Sequence, residues 1–145
     1  MEKEEVKFDI ELSGTCWDKI PEFSIGIDDQ EFVKDSVSDS RVFSFTAELT
    51  EEEHVLWIDF HNKTDDQVIK TKDETGIEKD MLLNIDSIFI DDIEIETLKW
   101  NNSQFIEKNS GNVTERCINL GKNGRYQITL KTPIVSWLLK ELENV

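Results

Sequence analysis

The stretch "SIGIDDQEF", residues 24–32, returns sixty-three positions later as "SIFIDDIEI", residues 87–95. Each copy sets an Asp pair among β-forming residues and follows it with Glu and another apolar residue. A two-residue hairpin loop needs positive φ at its centre. Asp tolerates that region, and its carboxylate can bond neighbouring backbone N–H groups. The two pairs therefore read as hairpin tips, joining residues 23–27 to 31–33 and 85–90 to 93–95. Turns of one type need one turn chemistry, so the recurrence requires no duplication.

Working outward from the tips, apolar residues recur at every second position. In "VKFDIELS" the inward set is Val6, Phe8, Ile10 and Leu12, with Lys7, Asp9 and Glu11 facing out. Phe23, Ile25 and Ile27 share a face, as do Phe43, Phe45, Ala47 and Leu49, and then Leu56, Ile58 and Phe60. Strands with one dry and one wet face belong to antiparallel sheets. "NIDSIFI" breaks the alternation, because Ile85 and Ile88 lie three apart; a β-bulge near Asp86 and Ser87 turns both inward. "GRYQITLK" reads as a further strand, entered through the turn "GKNG", and residues 62–79 read as a long polar loop. The fold expected is an all-β antiparallel sandwich, jelly-roll-like, with one short C-terminal helix. For that helix Thr132 serves as cap, Pro133 as the first position, and Ile134, Trp137, Leu138 and Leu142 as one apolar stripe. The stripe closes one end of the sandwich or, on the sharper reading, presents Trp137 and Leu138 to a protein partner.

A chain of 145 residues is expected to form a single sandwich domain spanning 1–145. Its 32 acidic against 16 basic residues give a net charge of −16. Such a surface repels nucleic acid and anionic membranes, and suits solubility, a divalent cation or a basic protein partner. No apolar run has membrane-spanning length, and "MEKEEVKFDIEL" has no secretory pattern. Cys16 and Cys117 are too few for a disulfide framework and are expected as buried free thiols. Three Asn-x-Ser/Thr triplets, at Asn62, Asn101 and Asn112, are read as chance.

Serine-hydrolase, Walker and zinc-protease motifs are missing, so no enzyme is expected and a hydrolase is only a remote alternative. His54 and His61 lie seven apart on one strand and face opposite sides, so they cannot share a metal from it. The wet face of "HVLWIDFH" carries Val55, Trp57, Asp59 and His61. A Trp beside polar groups can stack a sugar ring, which makes Trp57, Asp59 and His61 a candidate carbohydrate-binding surface. The other reading has Trp57 covered by a strand, the helix or another protein.

The middle of the chain is similar to the calcium-dependent xylan-binding modules. "HVLWIDFHN" matches one strand of that family at His54, Phe60 and Asn62; "KDMLLNIDSIFIDD" matches another at Asp80, Ile85, Asp86, Ile88, Ile90 and Asp91. The resemblance covers about residues 6–95, leaving 96–145 as extra strands and the helix. It implies a jelly-roll-like carbohydrate-binding sandwich in which calcium meets sugar hydroxyls directly, with Asn62, Asp65, Asp66 and Asp80 as the metal positions. One departure stands out: the Asn-Asp of the family is Asn62-Lys63 here, a cation where a carboxylate ligand belongs. The closing "NLGKNGRYQITLKTPIVSWLL" resembles small proteins of large tailed phages, T4-like cyanophages among them. That likeness implies a non-enzymatic virion or accessory component, in the virion or host cytoplasm, docking on a protein partner and open to homo-oligomer formation. The alternative is a calcium-dependent module whose partner is a polysaccharide.

Overall fold

The computed structural model describes residues 3–16, 19–63, 69–70, 77–79 and 81–143, without the side chains of 69–70, 77–79 and Leu142. The first strands are β1 (Lys3–Thr15), β2 (Glu22–Ile27), β3 (Gln30–Ser36), β4 (Arg41–Thr50) and β5 (Glu53–Phe60). Within the long polar segment lie β6 (Ile69–Lys70) and β7 (Ile77–Lys79), followed by β8 (Leu82–Ile90) and β9 (Ile93–Glu94). Helix α1 (Glu96–Asn101) leads to β10 (Ser103–Glu107), β11 (Val113–Glu115), β12 (Asn119–Leu120), β13 (Gly124–Lys131) and helix α2 (Ile134–Glu143).

Two antiparallel sheets stack face to face. One has the order β12-β8-β1-β4, with β9 also on β8; the other is β11-β10-β13-β5-β2-β3, and β6 pairs with β7. The alternating residues meet between them: Val6, Phe8, Ile10 and Leu12 on one side, Leu56, Ile58, Phe60, Tyr126, Ile128 and Leu130 on the other, all buried. Along the open flank Phe45 stacks between Phe8 and Phe32, with ring centroids 5.0 and 4.8 Å away, tying β4 to β3.

The bulge lies where the broken alternation placed it. Glu11 faces Ser87 and Leu12 faces Ile85, so Asp86 is the extra residue and both Ile85 and Ile88 point inward. A bulge leaves its extra backbone groups out of the ladder. Here the Asp86 carbonyl accepts from the buried Lys99 ammonium at 2.6 Å, and Glu96 lies 3.3 Å from that ammonium. Tyr126 in turn donates to the Lys99 carbonyl at 2.6 Å, and burial raises its phenol above the ordinary range. Helix α1 was not expected. It is six residues long, too short to show a periodicity, and Lys99 is buried on it where a charged residue ordinarily signals solvent.

Both Asp pairs are hairpin tips, with positive φ at Asp28 (53°), Asp91 (49°) and Asp92 (66°). They also do something a turn alone does not require. Asp28 donates its N–H to the Val55 carbonyl at 2.9 Å while its carboxylate accepts the Val55 N–H at 2.8 Å. Asp91 makes the same pair of bonds with the backbone of Lys7, at 2.8 and 2.9 Å. In each copy the first Asp extends the ladder one step past the strand, using its side chain as the missing carbonyl.

The C-terminal helix forms, with two corrections. Thr132 does not cap it: its hydroxyl donates to the Thr50 carbonyl and accepts from Glu52 N–H, while the Ile134 N–H is met by the Glu4 carboxylate at 3.1 Å. Trp137 and Leu138 are buried against the sandwich, so they cannot anchor a partner; Val135 and Leu139, 51 and 60% exposed, form the outer stripe. The two thiols also differ from expectation. Both are free, but Cys16, just past the end of β1, is exposed, and Cys117 is half-buried at the edge of the core.

Candidate functional site

The expected metal positions divide. Asp65, Asp66 and Asp80 lie outside the described residues. Asn62 is described, and both ends of its amide are used: the oxygen accepts from Glu22 N–H at 2.8 Å and the nitrogen donates to the Ile20 carbonyl at 3.0 Å. Next to it, the Lys63 ammonium donates to the Met81 carbonyl at 2.6 Å. Asn123 clamps the Lys63 backbone from both sides, accepting its N–H at 2.7 Å and donating to its carbonyl at 2.8 Å. Among the described residues, no three His, Cys, Asp or Glu side chains converge as a metal site. A calcium ion placed here would meet an amide already engaged and a carbonyl that already holds a cation. The described residues do not fit it.

The expected sugar surface lies on the outer face of the six-stranded sheet, where register brings distant residues into rows. Asp59 faces Ser24 on one side and Arg125 on the other; Trp57 faces Gly26 and Gln127, and Gln127 faces Gln104. Trp57 is only 6% exposed, which corrects its expected role as an open stacking platform. One side of the indole packs on Gly26, where a Cβ would come within 2.2 Å of the ring. The other is covered by the Arg125 guanidinium, 4.3 Å from the ring centroid, and the indole N–H donates to the Asp28 carbonyl at 2.8 Å. Gly26 is thus required by close approach, and the Trp is a floor for Arg125.

Asp59 fixes that guanidinium with two bonds, at 2.8 and 3.0 Å. The Asp59 hydrogen bonds push Arg125 above its ordinary pKa, outweighing the lowering caused by burial. Such a fork is rigid, and at 42% exposure Arg125 still presents part of its edge to solvent. His61 follows on the same face, exposed, with Nε2 2.7 Å from the Ser24 hydroxyl. Asp59 and His61 are therefore placed together at the surface, and Trp57 lies beneath them.

Three open grooves flank this row. The first, about 450 Å³, runs between His61 and Arg125 on one wall and Glu107 and Lys108 on the other, over Phe60 and Ile106. A second, about 550 Å³, lies across His61 toward Lys34 and Asp35. A third, about 350 Å³, is lined by Gln104, Gln127, Thr129, Asn101 and Asn102. The face is thus a shallow, polar, hydrogen-bonding surface over a rigid sheet, with amides, carboxylates and cations alternating. The sequence marked "GRYQITLK" as a strand without assigning its faces; that β13 lies beside β5 rests on a pairing across more than sixty residues, for which no local signal exists.

Behind the first hairpin tip, His54 is buried, with Nε2 2.9 Å from the Thr50 carbonyl and Nδ1 2.6 Å from the Asp28 carboxylate. A carbonyl can only accept, so Nε2 carries a proton, and the carboxylate favours a second on Nδ1. Burial lowers the pKa of His54, but the hydrogen bonds to Asp28 and Thr50 and the nearby charges prevail and raise it above 6.5. His54 and His61 are committed to separate partners on opposite faces of β5. Burial raises both thiols, most of all among their influences, so neither is an activated nucleophile.

No family model matches the chain, and no curated protein does. Solved structures are similar to it. vCBM60 in complex with galactobiose superposes over 84% of this chain and 96% of its own, with a TM-score of 0.54 and 13% identity. The selenomethionine form of vCBM60, described with a circular permutation linking two families of calcium-dependent carbohydrate-binding modules, covers 85% and 89%, with a TM-score of 0.55 and 12% identity. At such identities the likeness is one of architecture, and this chain has the β-sandwich fold of a carbohydrate-binding module.

Proposed function

We propose that this protein is a non-catalytic carbohydrate-binding sandwich that takes a neutral glycan on the outer face of its six-stranded sheet. The observation that carries the reading is the rigid row of Asp59, Arg125 and His61, set between two grooves lined by charged side chains, with a third groove of amide side chains on the same sheet. Sugar hydroxyls are paired donors and acceptors, and a carboxylate, an amide and a guanidinium edge fixed on a sheet match them without ordering cost at binding. The fold likeness to modules one of which holds galactobiose supports the same reading. A net charge of −16 disfavours anionic polysaccharides, which makes neutral chains the better class. The similar modules are described as calcium-dependent, and the expected holders of such an ion in this chain are Asn62, Asp65, Asp66 and Asp80. Since Asn62 and the Met81 carbonyl are already engaged, recognition is assigned here to the side chains of the face itself. Residues 1–145 act as one unit in this reading, because β13 and β12 pair with β5 and β8.

Affinity electrophoresis through a panel of neutral polysaccharides tests the proposal. At least one gel should retard the protein; Arg125→Ala should reduce the retardation by about 10–150-fold in affinity, the range of one lost hydrogen bond to a charged group, and His61→Ala should reduce it by about 2–10-fold, the range of a neutral one. Free migration through every gel rejects it. The second reading, a virion or accessory component docking on a protein in the virion or host cytoplasm, draws on Val135 and Leu139, exposed one turn apart on α2.

A further inference from the structure

We infer that the Lys63 ammonium is this protein's built-in cation, holding the end of β5 to the start of β8 so that neither folding nor ligand binding there needs a divalent metal. The inference rests on the glycan reading only for what is bound; the cation itself stands on separate geometry. The Lys63 ammonium lies 2.6 Å from the Met81 carbonyl, a short charge-assisted bond that joins two segments 18 residues apart. It is aimed by its backbone, not by chance of a long side chain: Asn123, on the turn into β13, holds the Lys63 N–H and carbonyl at 2.7 and 2.8 Å. The preceding Asn62 fixes residues 20 and 22 in the same way, through both ends of its amide. Three segments are thereby gathered around the end of β5 by side-chain-to-backbone bonds and one ammonium, a task that an oxygen-coordinated ion could otherwise perform. Lys99 does the same at the Asp86 bulge, where an ammonium also takes up a backbone carbonyl at 2.6 Å. An ammonium seated on a carbonyl opposes a divalent ion at the same oxygen, because their charges repel at contact distance. Lys63 therefore disfavours calcium at the Met81 carbonyl.

Thermal melting of the full chain in EDTA and in millimolar calcium decides the matter, with Lys63→Met as the variant that keeps the stem and removes the charge. The expected result is one melting temperature for the wild type in both buffers, with Lys63→Met lower by about 2–8 °C in both. A wild-type Tm that rises in calcium, or a Lys63→Met protein that melts with the wild type, overturns the inference. Gel retardation read in the same two buffers separates this from the glycan reading: no retardation anywhere removes the glycan and leaves the melting result standing, whereas retardation abolished by EDTA removes the built-in cation.

Discussion

His54 shows how a single residue can be read in its place on a strand and still be missed in its role. Alternation put it on the dry side of β5, yet its partner Asp28 lies 26 residues earlier, on a hairpin tip whose aspartates read as turn residues. Charged, the ring satisfies both acceptors; neutral, it leaves one facing a lone pair. Its folded pKa lies above the ordinary 6.5, so the unfolded chain releases this proton first as pH rises. The stabilisation is complete below about pH 6.5 and is lost as pH climbs through the folded value. Burial raises both thiols further from this window. The melting temperature should therefore fall as pH rises above about 6.5, and His54→Gln, which cannot carry the charge, should flatten that slope. At pH 6 the variant should be about 1.5–3 kcal/mol less stable, the worth of a hydrogen bond to a charged group. Equal slopes in the two proteins would remove His54 as the cause. Lys63 teaches the converse: its identity was visible as a departure from the family pattern, but its reach to the Met81 carbonyl was not, since no local rule ties it to a residue 18 positions on.

At the scale of elements, the alternating strands and the two Asp hairpins were legible because their rules are local, whereas β6, β7, β10, β11 and β12 were not read. Period-two burial, the bulge at Asp86 and both Asp tips follow from residues within a few positions of one another. Elements whose identity depends on distant partners were not legible. Helix α1 is defined by Lys99 reaching the bulge, and the start of α2 by Glu4 from the far end of the chain. The doubled Asp tips lie between these cases. Local rules gave the turn, while the bond each first Asp makes to a third strand needed the sheet. That bond and the positive φ can be separated by substitution at Asp91. Asp91→Gly removes the acceptor for Lys7 N–H while easing the φ of 49°, whereas Asp91→Asn keeps an oxygen and tolerates the same φ. If the ladder extension matters more than the turn, Asp91→Asn should stay within about 0.5 kcal/mol of wild type, and Asp91→Gly should lose about 0.5–1.5 kcal/mol. Urea midpoints would show it; a glycine variant more stable than wild type would mean that φ strain dominates and the bond contributes little.

For the whole molecule the deciding quantity is the imbalance of charge. With 32 acidic and 16 basic residues, at least half of the carboxylates have no cation of their own to pair with, and among the described residues exposed bridges such as Arg41–Asp35 and Lys131–Glu53 are common. Exposed bridges contribute about 0–1 kcal/mol each, and salt weakens them. Repulsion among the surplus carboxylates acts over the whole surface, and folding concentrates it by bringing them together. The two effects oppose each other as ionic strength rises, so the sign of the response tells which is larger. Raising salt from about 0.01 to 0.15 M shortens the screening length from about 30 to 8 Å, which removes the long-range repulsion and leaves the close and half-buried pairs, Arg125–Asp59 among them, mostly intact. The melting temperature should rise by a few degrees over that range and then level off. Sodium chloride titration by differential scanning calorimetry measures it directly, and a falling Tm would show that surface bridges, not net repulsion, dominate. The same screening should leave retention on a neutral glycan nearly unchanged, because an uncharged ligand has no long-range field to lose.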